Sequence, residues 1–226
     1  DLVHMTAEER AKALGNMSLD ERMLAIHSLE PEHRIMTLAY VLPKARAATL
    51  MAMTDSDRMY TLTAMTPEEK AEAIGILEPS HQIEALHDLH PIDRWMALEG
   101  CVDEADGRSW LNSMSDKDRQ EYDEVAELMD DLLGMTHEER AECLNNKSEL
   151  RRIEAMHGLH ALERVNTLNM FSAEEAAAYL QACTDGDRVT TVVAMQPEQQ
   201  AQMLWNLPDK VRTETLHDMS PDERRT

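Results

Sequence analysis

The chain has 226 residues, and 22 Lys plus Arg against 44 Asp plus Glu give it a formal charge of −22 at pH 7. This excess of acid argues against nucleic acid or an anionic membrane surface as a partner, because both require clustered cations. No apolar run approaches the roughly 20 residues that a membrane-spanning helix needs. Only 7 Gly and 4% aromatic residues fit poorly with a β-sandwich. Three Cys without a C-x-x-C pair indicate reduced thiols and therefore a reducing intracellular compartment.

A step of twelve residues runs through most of the chain. Basic side chains mark it, and we call them the arginine ladder: Arg10, Arg22, Arg34, Arg46, Arg58 and Arg94, then Arg140, Arg152, Arg164, Arg188, Arg212 and Arg224. An apolar residue stands five positions before nearly every marker and another four positions after it, as Met5 and Leu14 do around Arg10. Such self-similarity is typical of solenoids, in which each unit stacks on its neighbours.

Each twelve-residue unit reads as one short helix and a turn. Ser or Thr is often followed three residues later by an acid, as in Thr6 and Glu9, which predicts a capping box. Pro stands at the first helical position of several units, where its missing N–H costs nothing, as at Pro67. Helices of about nine residues are roughly 13 Å long and marginal in isolation. The sequence therefore predicts an all-α fold, a solenoid or superhelix of short stacked helices.

A longer period groups these helices into blocks of 60 residues. The segment 5–11 is echoed at 65–71 and 135–141, and the His of each block recurs at 27, 87, 157 and 217. The motif at 54–58 is likewise echoed at 115–119 and 184–188. We predict a first repeat array over 5–100, an irregular junction with an inserted helix over 101–134, and a second array over 135–226, all in one continuous solenoid.

The insertion is the one place where a long helix is predicted, over 120–133. It carries an apolar stripe at i, i+3, i+4, i+7 and i+8: Val125, Leu128, Met129, Leu132 and Leu133. The opposite face is acidic and has no cation. We predict that the stripe is a dedicated contact for a protein partner, a prediction that fails if the stripe is wholly buried within its own chain.

The ladder arginines raise an electrostatic question, since each is predicted at the end of a first helical turn, where the helix dipole disfavours a cation. Acids one and two positions earlier offset this, and the guanidinium groups could also reach unpaired carbonyls that end a neighbouring helix. The favoured interpretation is a structural link from repeat to repeat. The alternative is a serial anion-binding surface, which the net charge weakens.

The histidines allow two interpretations, a metal site or a role at helix ends. His87 with His90, and His157 with His160, place two imidazoles three residues apart, but zinc needs further ligands from elsewhere. The second His of each pair falls where a turn begins, a usual place for a capping group. The motif at 54–58 resembles half of a calcium loop without its Gly and distal Glu, so capping explains it more simply.

Catalytic motifs are missing from the sequence, which has no Gly-rich phosphate loop, no H-E-x-x-H and no G-x-S-x-G. Cys101 and Cys183 stand in apolar columns, and Cys143 precedes Leu144, so all three look like small core residues. We predict no enzyme activity and no cofactor, with weak Mg²⁺ binding to the acidic surface as an open alternative. The 17 Met are predicted to fill the core or to line an adaptable groove.

The string Leu-x-Pro-x-x-Arg-x-x-x-Leu begins at Leu29 and again at Leu89. It resembles the superhelical N-terminal domain of MgtE-type magnesium transporters, and the flagellar motor switch protein has related stacks of short helices. The resemblance implies a compact right-handed superhelix. It also implies a cytoplasmic regulatory module with Mg²⁺ at acidic positions, although no acid here matches a family metal ligand one-to-one.

Two functional hypotheses follow. The first is a non-catalytic scaffold or linker that binds protein partners along the helical surface, for instance as an accessory subunit of an organellar membrane complex such as a photosynthetic antenna, attached peripherally. Because the chain opens at Asp1 without Met, it is either a fragment or a protein processed after import, into a chloroplast in this case. The alternative is a regulatory domain that responds to divalent cations, Mg²⁺ in particular.

Overall fold

A computed structural model describes residues 2, 5–29, 31–63, 65–219 and 224, with only the backbone at 31, 32, 35, 36 and 39. Within these ranges the regular structure is helical and no β-strand occurs. The predicted all-α class is therefore confirmed. The pattern also predicts the start of a further helix after Met219, and that segment lies largely outside the described residues.

The chain divides into two compact units, Asp1–Val125 and Ala126–Thr226, which we call unit 1 and unit 2. Unit 1 holds nine helices in its described part and the first half of a tenth that continues into unit 2. These are α1 (Ala7–Gly15), α2 (Leu19–His27), α3 (Pro31–Tyr40), α4 (Pro43–Ala52), α5 (Asp55–Thr63), α6 (Pro67–Gly75), α7 (Pro79–Asp88), α8 (Pro91–Glu99), α9 (Glu104–Ser113) and α10 (Asp116–Gly134).

Unit 2 continues the same short-helix pattern after the end of α10. Its helices are α11 (His137–Asn145), α12 (Glu149–His157), α13 (Ala161–Leu168), α14 (Ala173–Ala182), α15 (Asp185–Ala194), α16 (Pro197–Asn206) and α17 (Asp209–Asp218). Every one of them has eight to ten residues.

The helices restart where the sequence predicts because their first turns are capped locally. Reciprocal capping boxes, in which the hydroxyl accepts from the N3 amide and the N3 acid accepts from the cap amide, begin five helices: at Thr6, Ser18, Thr66, Thr136 and Ser172. Pro occupies the first turn of others, including α4, α7 and α8. Short turns separate successive helices, and a new helix begins at each of these capped or Pro-marked positions.

The two apolar columns of the repeat supply most of the core. In the column four positions after each twelve-residue step, eleven residues are at most 1% exposed: Leu14, Ile26, Leu38, Leu50, Leu62, Ile74 and Leu86 in unit 1, and Leu144, Met156, Leu180 and Val192 in unit 2. Leu98 and Leu168 are 8% and 3% exposed, and Leu204 and Leu216 are half-buried. Within each unit a helix packs mainly on the helix two positions along, as α6 does on α8 and α13 on α15. This stacking stabilises helices that are too short to persist alone.

The segment predicted as a junction is more regular than expected. Helix α9 occupies residues 104–113, and α10 begins at Asp116 rather than at 120. The early start has a local cause, since the hydroxyl of Ser115 accepts from the amide of Asp118 at 3.2 Å and caps the first turn. The inserted residues therefore lengthen a ladder helix instead of forming a separate one.

Candidate functional site

The ladder side chains reach back to the carbonyl groups that end the preceding helix. The guanidinium of Arg22 donates to the carbonyls of Met17 and Leu14, both at 3.1 Å. Arg94 donates to the carbonyl of Leu89 at 3.1 Å, again five residues earlier. The Leu14 carbonyl also accepts from the amide of Met17 at 3.1 Å, so Arg22 adds a side-chain donor to the local bonds at the end of the helix.

The same side chains also reach forward to a helix two positions further along the chain. Arg10 Nε donates to the Thr37 hydroxyl at 2.8 Å, and Arg188 Nε donates to that of Thr215 at 2.9 Å. At other steps the acceptor is an acidic side chain: Arg58 binds Asp88 at 3.1 Å. One ladder residue thus connects the end of one helix with a helix stacked 23 to 30 residues later.

Most of the ladder side chains are buried. Nine of its members are buried, Arg152 and Arg212 are half-buried and Arg224 is exposed; the buried ones are Arg10, Arg22, Arg34, Arg46, Arg58, Arg94, Arg140, Arg164 and Arg188. Where the sequence lacks Arg, Gln82 donates to the carbonyls of Gly75 and Leu77 in the same way. Arg and Gln both donate hydrogen bonds, but only Arg carries a charge, so the backward hydrogen bonds do not require a charge at this position. The stabilising role of the ladder stays a prediction.

A four-group cluster in unit 2 brings together motifs that the sequence presents separately. His157 at the end of α12 lies with Nδ1 2.5 Å from Oδ2 of Asp187 in the first turn of α15. Arg164 of α13 binds Oδ1 of the same carboxylate at 2.9 Å, and the Thr184 hydroxyl donates to Oδ2 at 3.0 Å. We call these residues the His157 cluster. They join α12, α13 and α15 through a single carboxylate.

The arrangement recurs twice in unit 1. His87 Nδ1 lies 2.9 Å from Asp118, which also binds Arg94 at 3.1 Å and accepts from Ser115 at 2.7 Å. In the copy nearest the start of the chain, the His and the Asp lie further apart.

In that first copy, His27 is 3.9 Å from Asp57, and Arg34 binds Asp57 at 3.3 Å. The sequence analysis did not predict that the recurring His at 27, 87 and 157 would contact the motif at 54–58 and its copies at 115–119 and 184–188. The available signal was their constant separation, 30 residues in two copies and 31 in the third.

The three copies differ in how deeply their His side chains are buried. The side chain of His157 is 10% exposed, against 64% for His87 and 43% for His27. Burial acts to raise the pKa of Asp187, but the hydrogen bond and charge of His157, the charge of Arg164 and the Thr184 hydroxyl together hold that pKa below its usual value. Asp118 follows the same pattern, with its pKa lowered despite burial. These aspartates are therefore carboxylates at neutral pH.

The second His of each predicted pair has a different environment from the first. His90 and His160 are the N-cap residues of α8 and α13, but neither side chain makes the capping hydrogen bond that the sequence led us to expect. Across the part of the chain that the structure describes, no three His, Cys, Asp or Glu side chains are grouped so that they could hold a metal ion. The histidines at 87 and 157 bind carboxylates instead.

The predicted partner stripe on α10 is only partly accessible. Met129 and Leu132 are fully buried within the chain, and Val125 and Leu128 are half-buried. Leu133 alone is well exposed, at 44%. A partner could reach Leu133 and the edges of its neighbours but not the whole stripe, so the contact stays a prediction with a smaller footprint.

An open cleft of about 630 Å³ lies between the end of α10 and α11. It is lined by Asp130, Asp131, Gly134, Met135, Glu139, Glu142, Cys143 and Asn146. The counterpart of Glu142 in the preceding block, Glu72, pairs with Arg46 at 3.3 Å.

Two of the three cysteines, Cys101 and Cys183, lie in environments that disfavour the reactive thiolate. Burial raises the pKa of Cys183 to about 12 and also raises the pKa of Cys101. Cys143 is half-buried at the edge of the acidic cleft. A thiol attacks as its anion, so this observation fits the predicted structural role of Cys101 and Cys183.

The helical repeat and its capped restarts agree with one known family. Residues 135–226 match the MgtE intracellular N domain. This confirms the resemblance drawn from the sequence for unit 2, where the matched range covers the predicted second repeat array. No curated protein matches the chain. Among the described helices, none combines the length and apolar character needed to cross a membrane.

Proposed function

We propose that the chain is an intracellular, non-catalytic regulatory domain whose folded state responds to divalent cations, with Mg²⁺ as the physiological one. The observation that carries this proposal is the match of residues 135–226 to the MgtE intracellular N domain. The resemblance implies a module that senses Mg²⁺ at acidic positions in magnesium transporters. The family match favours the regulatory-domain hypothesis over the hypothesis of a scaffold that binds protein partners.

The charge of the chain gives such a response a physical basis. With a formal charge of −22, the folded chain concentrates acids that repel one another. The cleft beside α11 holds four of them: Asp130, Asp131, Glu139 and Glu142. Any cation that binds this folded surface more tightly than the unfolded chain stabilises it in proportion to the logarithm of its concentration.

The expected mode is distributed and weak. Mg²⁺ keeps several of its waters and binds proteins through one or two carboxylates, so it does not require a protein cage. The described residues contain no group of three ligands that would form one. We therefore expect half-saturation in the millimolar range and no single pair of acids that accounts for the whole effect.

Thermal melting separates this proposal from plain charge screening. The melting temperature is measured with millimolar MgCl₂, with CaCl₂ and with NaCl at the same ionic strength. A regulatory response predicts that MgCl₂ raises the melting temperature well beyond the NaCl sample. If NaCl reproduces the whole shift, screening is sufficient and the proposal is wrong.

Two variants with equal charge change test the distributed mode. Asp130→Asn with Asp131→Asn removes two acids from the cleft, and Glu8→Gln with Asp20→Asn removes two exposed acids from unit 1. A distributed response predicts a similar, partial reduction of the Mg²⁺ shift in both. Complete loss in the cleft variant alone would overturn the distributed mode and leave a local site in its place.

The scaffold hypothesis receives no support from the family match, and neither does the photosynthetic or chloroplast assignment. Both stay predictions. Leu133→Asp tests the remaining interface, because Leu133 is the exposed member of the stripe. Loss of a partner recovered from native extract by the unaltered chain, with unchanged melting temperature, would restore the scaffold hypothesis. Identical recovery by both chains would exclude this surface.

A further inference from the structure

We propose that the His157 cluster makes unit 2 responsive to protons: the folded unit holds a proton on His157, and its stability falls as the pH rises from about 5.5 to 8. This regulation is independent of the divalent-cation response. It assigns a role to a histidine that neither the repeat nor the family match explains.

The geometry supports tight proton binding at this ring. Nδ1 of His157 is 2.5 Å from a carboxylate oxygen of Asp187, a separation that favours a charge-assisted hydrogen bond. Arg164 binds the other oxygen of Asp187, so the two cations do not compete for one acceptor. The side chain of His157 keeps 10% of its surface exposed, which gives the proton a path to water.

Other charged and titratable groups lie on the helices that meet at the cluster. Burial raises the pKa of Tyr179 and of Cys183, so both are neutral at physiological pH. The ionised groups are Glu154 and Arg151 on α12, Arg164 on α13, and Asp185, Asp187 and Arg188 on α15. Arg151 is largely exposed and its field is screened, and the whole chain is strongly acidic. Burial of the ring and the charge of Arg164 disfavour a protonated His157, and the 2.5 Å contact with the Asp187 carboxylate opposes both; the proposal is that this contact outweighs them.

The sign of the effect follows from linkage. If the fold binds a proton at His157 more tightly than the unfolded chain does, that contribution is complete below the ordinary titration of His near 6.5. It disappears as the pH rises through the titration of the folded state. Neutral His157 still donates one hydrogen bond to Asp187 but no longer offers it a charge.

The cluster at His87 provides a matched internal control. It has the same partners, an Asp and a ladder Arg, at similar distances. Its ring is 64% exposed, so water screens the pair and the coupling to folding is weaker. Replacing His87 by Gln removes one histidine from the same repeat position without disturbing the buried cluster in unit 2.

The test is thermal melting between pH 5.5 and 8.5 at fixed ionic strength without divalent cations. For the unaltered chain we expect the melting temperature to fall across this range by about 3 to 5 °C more than it does for His157→Gln. His87→Gln should follow the unaltered chain. Equal profiles for the unaltered chain and His157→Gln, or a larger fall in the variant, would overturn the proposal.

A second measurement covers the case in which His157→Gln does not fold. The imidazole resonances of His157 and His87 are followed by NMR in the unaltered chain over the same pH range. The proposal expects the midpoint of His157 to lie above the ordinary value of about 6.5. A midpoint at or below that value would overturn the proposal. Failure of the Mg²⁺ experiment would leave both of these results unaffected.

Discussion

The backbone of Gly100 lies against the carbonyl group of Pro67, so that a Cβ atom at Gly100 would come within 2.1 Å of that oxygen. The close approach brings the residue that follows α8 onto the first turn of α6, which is its stacking neighbour. Gly100 has an ordinary helical φ of −75°, so the constraint is space and not backbone conformation.

Replacing Gly100 by Ala should therefore destabilise unit 1. The obstacle is backbone, which cannot rotate away as a side chain could, and overpacking of this kind costs about 1–3 kcal/mol. The measurement is urea unfolding in a Trp205→Phe background, followed through Trp95 and Trp110, which are both buried in unit 1.

The control for this substitution is Gly75→Ala at the end of α6. A Cβ at Gly75 would meet nothing within 4 Å. Ala there should be neutral or stabilising by up to about 1 kcal/mol, because Gly loses more conformational freedom on folding. Equal stability of the two variants would show that the approach at Gly100 relaxes at no cost.

The ladder makes a second prediction, at Arg94. Its guanidinium donates to the carbonyls of Leu86 and Leu89 and pairs with the buried carboxylate of Asp118. Arg94→Ala leaves that carboxylate without its cation, and breaking a buried pair costs about 3–5 kcal/mol. The loss should appear as a lower urea midpoint for unit 1.

Arg108→Ala is the matched control for the ladder. Arg108 is mostly exposed and lies 3.8 Å from an exposed acid, Glu104. Surface pairs of this type contribute little, so no measurable change is expected. If Arg94→Ala were as benign as Arg108→Ala, the ladder would not stabilise the stack.

The sequence predicted the helices well because their limits are set locally. Thr6, Ser18 and Thr136 cap helices through bonds within four residues, so a pattern of twelve shows each restart. The same locality explains the error at α10. Ser115 fits the capping pattern, but the helix that it begins runs directly into the insertion.

Contacts between stacked helices do not follow from the twelve-residue period alone. The pairing of His157 with Asp187 joins residues 30 apart, and it exists because each helix packs on the one two positions along. The apolar stripe of α10 shows the same limit. Its spacing showed that one face is apolar, but not that Met129 and Leu132 would be covered by their own chain.

A third prediction concerns the cap of α11. The Thr136 hydroxyl accepts from the amide of Glu139 at 3.3 Å, and the Glu139 carboxylate accepts from the Thr136 amide at 2.9 Å. Thr136→Ala should lower the stability of unit 2 by about 1 kcal/mol, whereas Thr136→Ser keeps the acceptor and should retain most of it. Thermal melting of the two variants measures the difference, and equal melting temperatures would contradict the capping role.

The last prediction follows from the lowered pKa of Asp187. A carboxyl whose pKa is lower in the folded state contributes stability above its unfolded value near 3.9, and that stability is lost as the pH falls through the folded-state value. Unit 2 should therefore lose stability in acid, below about pH 4. Circular dichroism melts between pH 2.5 and 6 measure this loss.

Asp187→Asn provides the comparison in acid. It cannot titrate and gives up the charge that faces Arg164 and His157, so it should be less stable than the unaltered chain at pH 6. Below about pH 3 the difference should shrink, because the protonated carboxyl and the amide are then both neutral. A constant difference across the whole range would show that Asp187 acts through packing alone and that its ionisation does not contribute to folding.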